Sequence, residues 1–150
     1  LSEHSDIVSD YVPQLSENAN NYTAQDYRRS LSIAGEVWRD HLGPLFHRYD
    51  ALVMPTTTYP DIPATGWQKD TVTVNGKQVT DTQTSMSVLW NMFNRCPVLA
   101  VPSGMTDSGL PTGIQIIGRP CDDPAVFRIA GALEGRKPWL DCPERRPKRA

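Results

Sequence analysis

The stretch that decides the fold runs Asn91-Met92-Phe93-Asn94-Arg95-Cys96-Pro97-Val98-Leu99-Ala100-Val101-Pro102-Ser103-Gly104. It resumes as Gly109-Leu110-Pro111-Thr112-Gly113-Ile114-Gln115-Ile116-Ile117-Gly118-Arg119-Pro120. Two short apolar runs, Val98 to Val101 and Ile114 to Ile117, are each closed by Pro or Gly. Asp107-Ser108-Gly109-Leu110-Pro111 supplies a tight turn between them. Apolar runs of this length without alternation fit strands covered on both faces. Asp50-Ala51-Leu52-Val53-Met54-Pro55 is a third run of the same kind. Val72-Thr73-Val74-Asn75-Gly76-Lys77-Gln78-Val79 reads as a hairpin, with Asn-Gly offering the two positive-φ residues of a type I′ turn.

Around these strands the sequence predicts helices. Thr23-Ala24-Gln25-Asp26 has the form of a capping box, and the acidic side chain in the first turn suits the helix dipole. Tyr27, Leu31, Ala34 and Trp38 then share one face. Gly43-Pro44 is expected to break or bend that helix. A helix over residues 84–93 would turn Met86, Leu89 and Phe93 inward. Another opens at Asp123-Pro124, with Asp123 as N-cap, Pro124 at the first position and Gly135 as its stop; Val126, Phe127, Ile129, Ala130 and Leu133 form its apolar face. Residues 1–22 read as a partial helical lead-in interrupted by Pro13, and residues 136–150 as an extended basic tail. The pattern is α/β. Three buried strands and a hairpin cannot cover both faces of a sheet alone, so the reading is of half a layered domain.

The 150 residues suffice for one domain with a core. No apolar run is long enough to span a bilayer as a helix, and the N-terminal residues lack the basic and apolar regions of a signal peptide. Leu1 in place of Met points to sequence lost upstream. The net charge of -2 gives no reason to expect nucleic acid. Residues 136–150 hold a net of +4, leaving -6 elsewhere; Pro138, Pro143 and Pro147 argue against a basic helix, so this tail is expected to be solvated. Cys96, Cys121 and Cys142 are odd in number and far apart, which fits a reducing, cytoplasmic compartment.

Chemistry-bearing constellations are scarce. Lys69, Lys77, Lys137 and Lys148 lie in a loop, beside a turn and in the tail, and none has an apolar background that would desolvate an amine. No two glycines are adjacent to cradle an oxyanion. His4 lies in the ragged N-terminus, while His41 and His47 flank the Gly-Pro break, where a cation suits a helix end. Cys96 leads into an apolar strand and reads as a small buried hydrophobe. Ser103-Gly104 lacks the frame of a nucleophile elbow, and no His/Asp/Glu cluster has metal-ligand spacing. No catalytic residue, cofactor or metal is therefore assigned.

Four segments together resemble the C-terminal part of the amidase signature family. Tyr22-Thr-Ala-Gln-Asp-Tyr27 with its long helix is similar to the helix before that family's late strand. Tyr49-Asp50-Ala51-Leu52-Val53-Met54-Pro55-Thr56-Thr57 resembles "yDvlltPtt". Asn91 to Gly104 resembles "fN…PvlsvPsG". Gly109 to Pro120, with Asp122-Asp123 and Phe127-Arg128-Ile129-Ala130, resembles "GlPvGiQivGrp…d…llriA". Trp139 with Arg146-Pro147 resembles the closing residues. Asn94-Arg95-Cys96 stands where many members carry a Gly before the proline.

The resemblance implies a layered α/β/α fold with a mixed central sheet, of which residues 1–150 are the C-terminal portion. It implies hydrolysis of C–N amide bonds by a serine nucleophile, with a second serine and a lysine base, all upstream of the matched residues. The isolated chain is then expected to be inactive. Its implied partners are a small-molecule amide substrate and the N-terminal part of the same domain, with neither nucleic acid nor membrane. Thr56, Thr57 and Thr58, then Met86, Trp90 and Asn91, are implied as one wall of the substrate pocket. The competing reading of these residues is plain core and turn. A second function class stays open: a noncatalytic interaction module derived from the same fold.

Overall fold

The computed structural model describes residue 7 and residues 11–59, 71–139 and 142–145. His4, Lys69, Lys148, most of the Pro/Thr loop and the end of the tail lie outside these. The chain divides into two compact units, Leu1–Gly43 and Pro44–Ala150.

In the first unit, α1 spans Tyr11–Ala19 and α2 spans Ala24–Val37. Pro13 does not interrupt α1. It sits in the first turn, where its missing N–H has no intrahelical partner to lose. The capping box forms as expected. The Asp26 N–H donates to Thr23 Oγ1 at 3.2 Å, and the Thr23 N–H donates back to Asp26 Oδ2 at 2.8 Å. The expected apolar stripe of α2 is shared but not buried: Tyr27 is 66% exposed and Leu31 55%. Gly43-Pro44 does not end the helical backbone. A π turn, Trp38–Leu42, follows α2, with the Gly43 N–H reaching back to the Trp38 carbonyl. Pro44 then falls in the first turn of the next helix, where no N–H is required.

The Thr23 hydroxyl and then the Thr23 N–H hold the Asp26 carboxyl below its ordinary 3.8. A lowered carboxylate pKa contributes stability that is complete above the unfolded value and is lost as pH falls through the folded one. Helix α2 should therefore fray on acidification below about pH 3.8. Thr23→Ala should raise the Asp26 titration midpoint and shift fraying to higher pH. Side-chain NMR titration of Asp26 reads this directly; a midpoint unmoved by the substitution would contradict it.

Helix α3, Gly43–Arg48, lies in the second unit from Pro44 onward, and β1, Ala51–Pro55, follows it. A hairpin follows, β2 (Val72–Val74) and β3 (Lys77–Val79), with Asn75 at φ 49 and Gly76 at φ 78, as the Asn-Gly turn demands. Next come α4 (Asp81–Thr84), α5 (Val88–Met92), β4 (Val98–Met105), β5 (Pro111–Gly118) and α6 (Asp123–Arg136). The main sheet has the order β1-β5-β4, and both pairings are antiparallel. The β4–β5 turn closes through the Thr106 N–H to the Leu110 carbonyl at 2.8 Å, with Gly109 at φ 82.

Of the three apolar runs expected to be covered on both faces, only that of β5 is, and there from Gln115 to Gly118. Ile116 and Ile117 are buried to 1% and 0% exposure although they point to opposite faces. β1 and β4 flank it and keep alternate residues exposed, Val53 and Val98 among them. On the Ile116 face α6 packs against β4 and β5. Its approach is set by Gly118, where a Cβ would stand 2.8 Å from Val126 Cγ1 and 3.0 Å from Pro97 Cγ. The opposite face carries Met54, Gln115 and Ile117 by register, and α5 delivers Trp90 there.

Several boundaries differ from expectation. The N-cap of α6 is Asp122, whose carboxylate accepts from the Ala125 N–H at 3.3 Å; Asp123 and Pro124 lie inside the first turn. The helix passes through Gly135 to Arg136, and Phe127 is 64% exposed. The helix expected over residues 84–93 is two short ones separated by Ser85–Ser87. Thr84, Trp90 and Phe93 are buried in this span, Met86 is half-buried and Leu89 is exposed. Arg119 secures the end of α3, donating from Nε to the Phe46 carbonyl at 3.0 Å and from Nη2 to the Tyr49 carbonyl at 3.4 Å. No helix among the described residues is long and apolar enough to cross a membrane.

Candidate functional site

The Thr residues after β1 and the segment before α5 are far apart in sequence and meet in space. The Thr56 N–H and its hydroxyl both donate to the Gly113 carbonyl at 3.1 Å, carrying the β1–β5 ladder one residue beyond the strand. The Met86 N–H donates to the Thr56 carbonyl at 3.1 Å. The Thr58 N–H donates to the Thr84 carbonyl at 2.9 Å, and Thr57 and Ser85 face each other as a β bridge. Thr56 and Met86 are half-buried, while Thr57 and Thr58 are exposed.

Trp90 lies beneath. It is 6% exposed, donates its indole N–H to Met54 Sδ at 3.1 Å and sets its ring 6.3 Å from that of Phe93. Asn91, the next residue on α5, is exposed. The structure thus brings Thr56, Thr57, Thr58 and Met86 into one ladder, places Trp90 under β1, and leaves Asn91 on the outer side of a short helix.

Gln115 escaped notice as a site residue. It is 1% exposed and donates from Nε2 to the Pro55 carbonyl at 2.9 Å, so it fixes the backbone immediately before Thr56. A buried amide needs such a partner, because an unpaired one is costly. The only signal in the sequence was a polar residue inside an apolar run.

A second feature went unread. An open groove of about 590 Å³ runs along Val101, Pro102, Met105, Pro111 and Gly113 and is closed on one side by Trp139 and Arg145. The Arg145 guanidinium sits 4.3 Å from the centre of the Trp139 ring. Part of the tail expected to be solvated therefore lies against the sheet. Gly113 belongs to both places, since its carbonyl holds Thr56 and the residue also lines the groove.

The nucleophile candidates behave as their surroundings dictate. Burial, and then the neighbouring Cys121, push the Cys96 thiol above its ordinary value, which opposes thiolate formation. The Ser103 hydroxyl pairs with the Thr112 hydroxyl at 2.9 Å. Lys137 approaches, but its Nζ donates to the Ser103 carbonyl at 3.2 Å, not to the hydroxyl. An exposed ammonium on a carbonyl does not activate a serine. No group of three His, Cys, Asp or Glu side chains that could hold a metal occurs among the described residues.

Comparison with known proteins agrees with this frame. The chain is 31% identical over 138 residues to an acylamidase of Rhodococcus erythropolis, covering 89% of this chain and 28% of that protein. It superposes on a bacterial aryl acylamidase of the amidase signature family with a TM-score of 0.76 at 28% identity, over 97% of this chain and 30% of the other. A crystal structure of an amidase matches with a TM-score of 0.74 at 25% identity, over 91% of this chain and 30% of that one. The chain spans under a third of each. These likenesses show a layered α/β/α architecture with a mixed central sheet, of which the strands described here are an antiparallel portion. The Amidase family itself matches residues 2–127, and the chain belongs to that family.

Proposed function

We propose that this chain is the C-terminal portion of an amidase-signature hydrolase. The intact enzyme would cleave C–N amide bonds through an acyl-serine intermediate, with both serines and the lysine in a preceding segment. The observation that carries this reading is the family match over residues 2–127 by a chain spanning 28% of the acylamidase it resembles. The surroundings of Ser103 support it: Lys137 meets the Ser103 carbonyl instead of the hydroxyl. The partner is then the preceding part of the same domain, and the substrate a small-molecule amide. A cytoplasmic setting belongs to the same proposal.

In this reading the Thr56–Thr58 ladder, Met86 and Asn91 form one wall of the pocket, and Trp90 is its floor. Thr57 and Asn91 are exposed polar residues, as a wall facing a substrate requires. The test compares the 150-residue chain with the longer protein on a chromogenic anilide. The chain alone should release no amine. In the longer protein, Asn91→Ala or Thr57→Val should raise KM about 2- to 10-fold, the worth of one hydrogen bond. Hydrolysis by the chain alone, abolished by Ser103→Ala or Cys96→Ala, would overturn the assignment and favour a self-sufficient site.

A further inference from the structure

Cys96 and Cys121 are separated in sequence by the whole of the β4–β5 hairpin, yet the fold returns one to the other. The Cys121 N–H donates at 2.9 Å to the carbonyl of the Arg95–Cys96 peptide. On the other side of Cys96, the Gly118 N–H donates at 2.9 Å to the Pro97 carbonyl. Cys96 is therefore bracketed by two bonds to one short segment, Gly118 to Cys121. The Cys121 bond onto the peptide that begins Cys96 leaves little more than one hydrogen bond and its flanking backbone atoms between the two α-carbons, and a disulfide needs α-carbons roughly 4.4–6.8 Å apart.

The two thiols are unlike. Cys96 is buried and Cys121 is exposed, and both are reduced. Cys121 also holds φ at 62, a conformation that residues other than glycine rarely adopt. No element of the candidate site uses either thiol. The rise in the Cys96 pKa, caused first by burial and then by Cys121, is what a thiol set beside a second thiol would show.

We propose that Cys96 and Cys121 are a peroxide-responsive dithiol that closes reversibly to a disulfide, tying the entrance of β4 to the turn before α6. The exposed Cys121 thiolate attacks hydrogen peroxide. The O–O bond breaks, an S–O bond forms, and hydroxide leaves, giving the sulfenic acid. The Cys96 sulfur then attacks the Cys121 sulfur. An S–S bond forms, the S–O bond breaks, and the departing hydroxyl leaves with the Cys96 proton as water. Overall, two thiols lose two electrons and two protons, and one peroxide becomes two waters.

The full chain, treated with a small excess of hydrogen peroxide and then alkylated, tests this. Cleavage before aspartates separates the cysteines into fragments 81–106 and 107–121. These should be recovered joined, two hydrogens lighter than their sum, and should part on addition of a thiol reductant. Cys142→Ser should leave the link intact, and Cys121→Ser should leave Cys96 open to alkylation. Sulfinic acid on Cys121 with Cys96 still alkylatable would overturn the proposal. So would a Cys121–Cys142 link, three unchanged thiols, or a link that forms as fast in urea as in the folded chain.

Discussion

Trp90→Ala is expected to lower the folding stability of the complete protein by about 3–5 kcal/mol, the usual cost of emptying a large aromatic site. Packing decides this number. A Trp side chain buries about 150–250 Å², which at roughly 25 cal/mol per Å² is about 4–6 kcal/mol. The indole N–H to Met54 Sδ contact is a secondary contribution, because a thioether is a weak acceptor. Trp90→Phe should therefore recover more than half of the loss, keeping a ring beside Phe93 while abandoning the bond to sulfur. Urea denaturation followed by fluorescence reads both variants, with a lower midpoint at an unchanged m-value. A Trp90→Ala protein as stable as the parent would show that the indole supports nothing and would return Trp90 to the substrate-facing side of the wall.

Ile117→Ala should cost about 2–5 kcal/mol and Ile117→Val about 0.5–1.5 kcal/mol. Ile117 is wholly buried at the centre of the sheet, paired with Leu52 on one side and Val98 on the other. Its removal leaves a hole that three strands would have to move together to fill. Val53, 58% exposed on the outer strand β1, should tolerate truncation to Ala with a loss well under 1 kcal/mol. Equal losses at Ile117 and Val53 would mean that β1 is covered on both sides in the working protein.

That contrast shows what was legible in the sequence. Local chemistry was readable wherever a side chain and the backbone a few residues away settle the matter. The Thr23–Asp26 box, the Asn75-Gly76 turn and the turn through Gly109 are of this kind. What depends on a distant partner was not. Periodicity placed Tyr27 and Leu31 on one stripe, but a stripe does not say what covers it. The apolar runs of β1, β4 and β5 look alike, and only the order β1-β5-β4 makes one of them central. Asp123 read as the N-cap of α6, but the Ala125 N–H donates to Asp122, one residue earlier. Within the candidate site, the six residues came from the resemblance. The ladder joining Thr56–Thr58 to Thr84–Met86 crosses a long stretch of chain and leaves no local trace. Gln115 is the same case: its value lies in a carbonyl sixty residues earlier.

The central strand also sets a timetable. Its neighbour β4 is reached through the short turn from Thr106 to Leu110, whereas Pro55 of β1 lies 60 residues before Gln115. Loop-closure entropy grows slowly with length, so the distance adds little to the thermodynamic cost. On the ribosome it costs time. At about 5–20 residues per second, β1 is made roughly 3–12 s before the strand that will pair with it. During that interval the apolar run of Ala51, Leu52, Val53 and Met54 lacks its β5 partner. Pro55 ends the run without a backbone donor, which blunts it as a template for stray strands until β5 arrives.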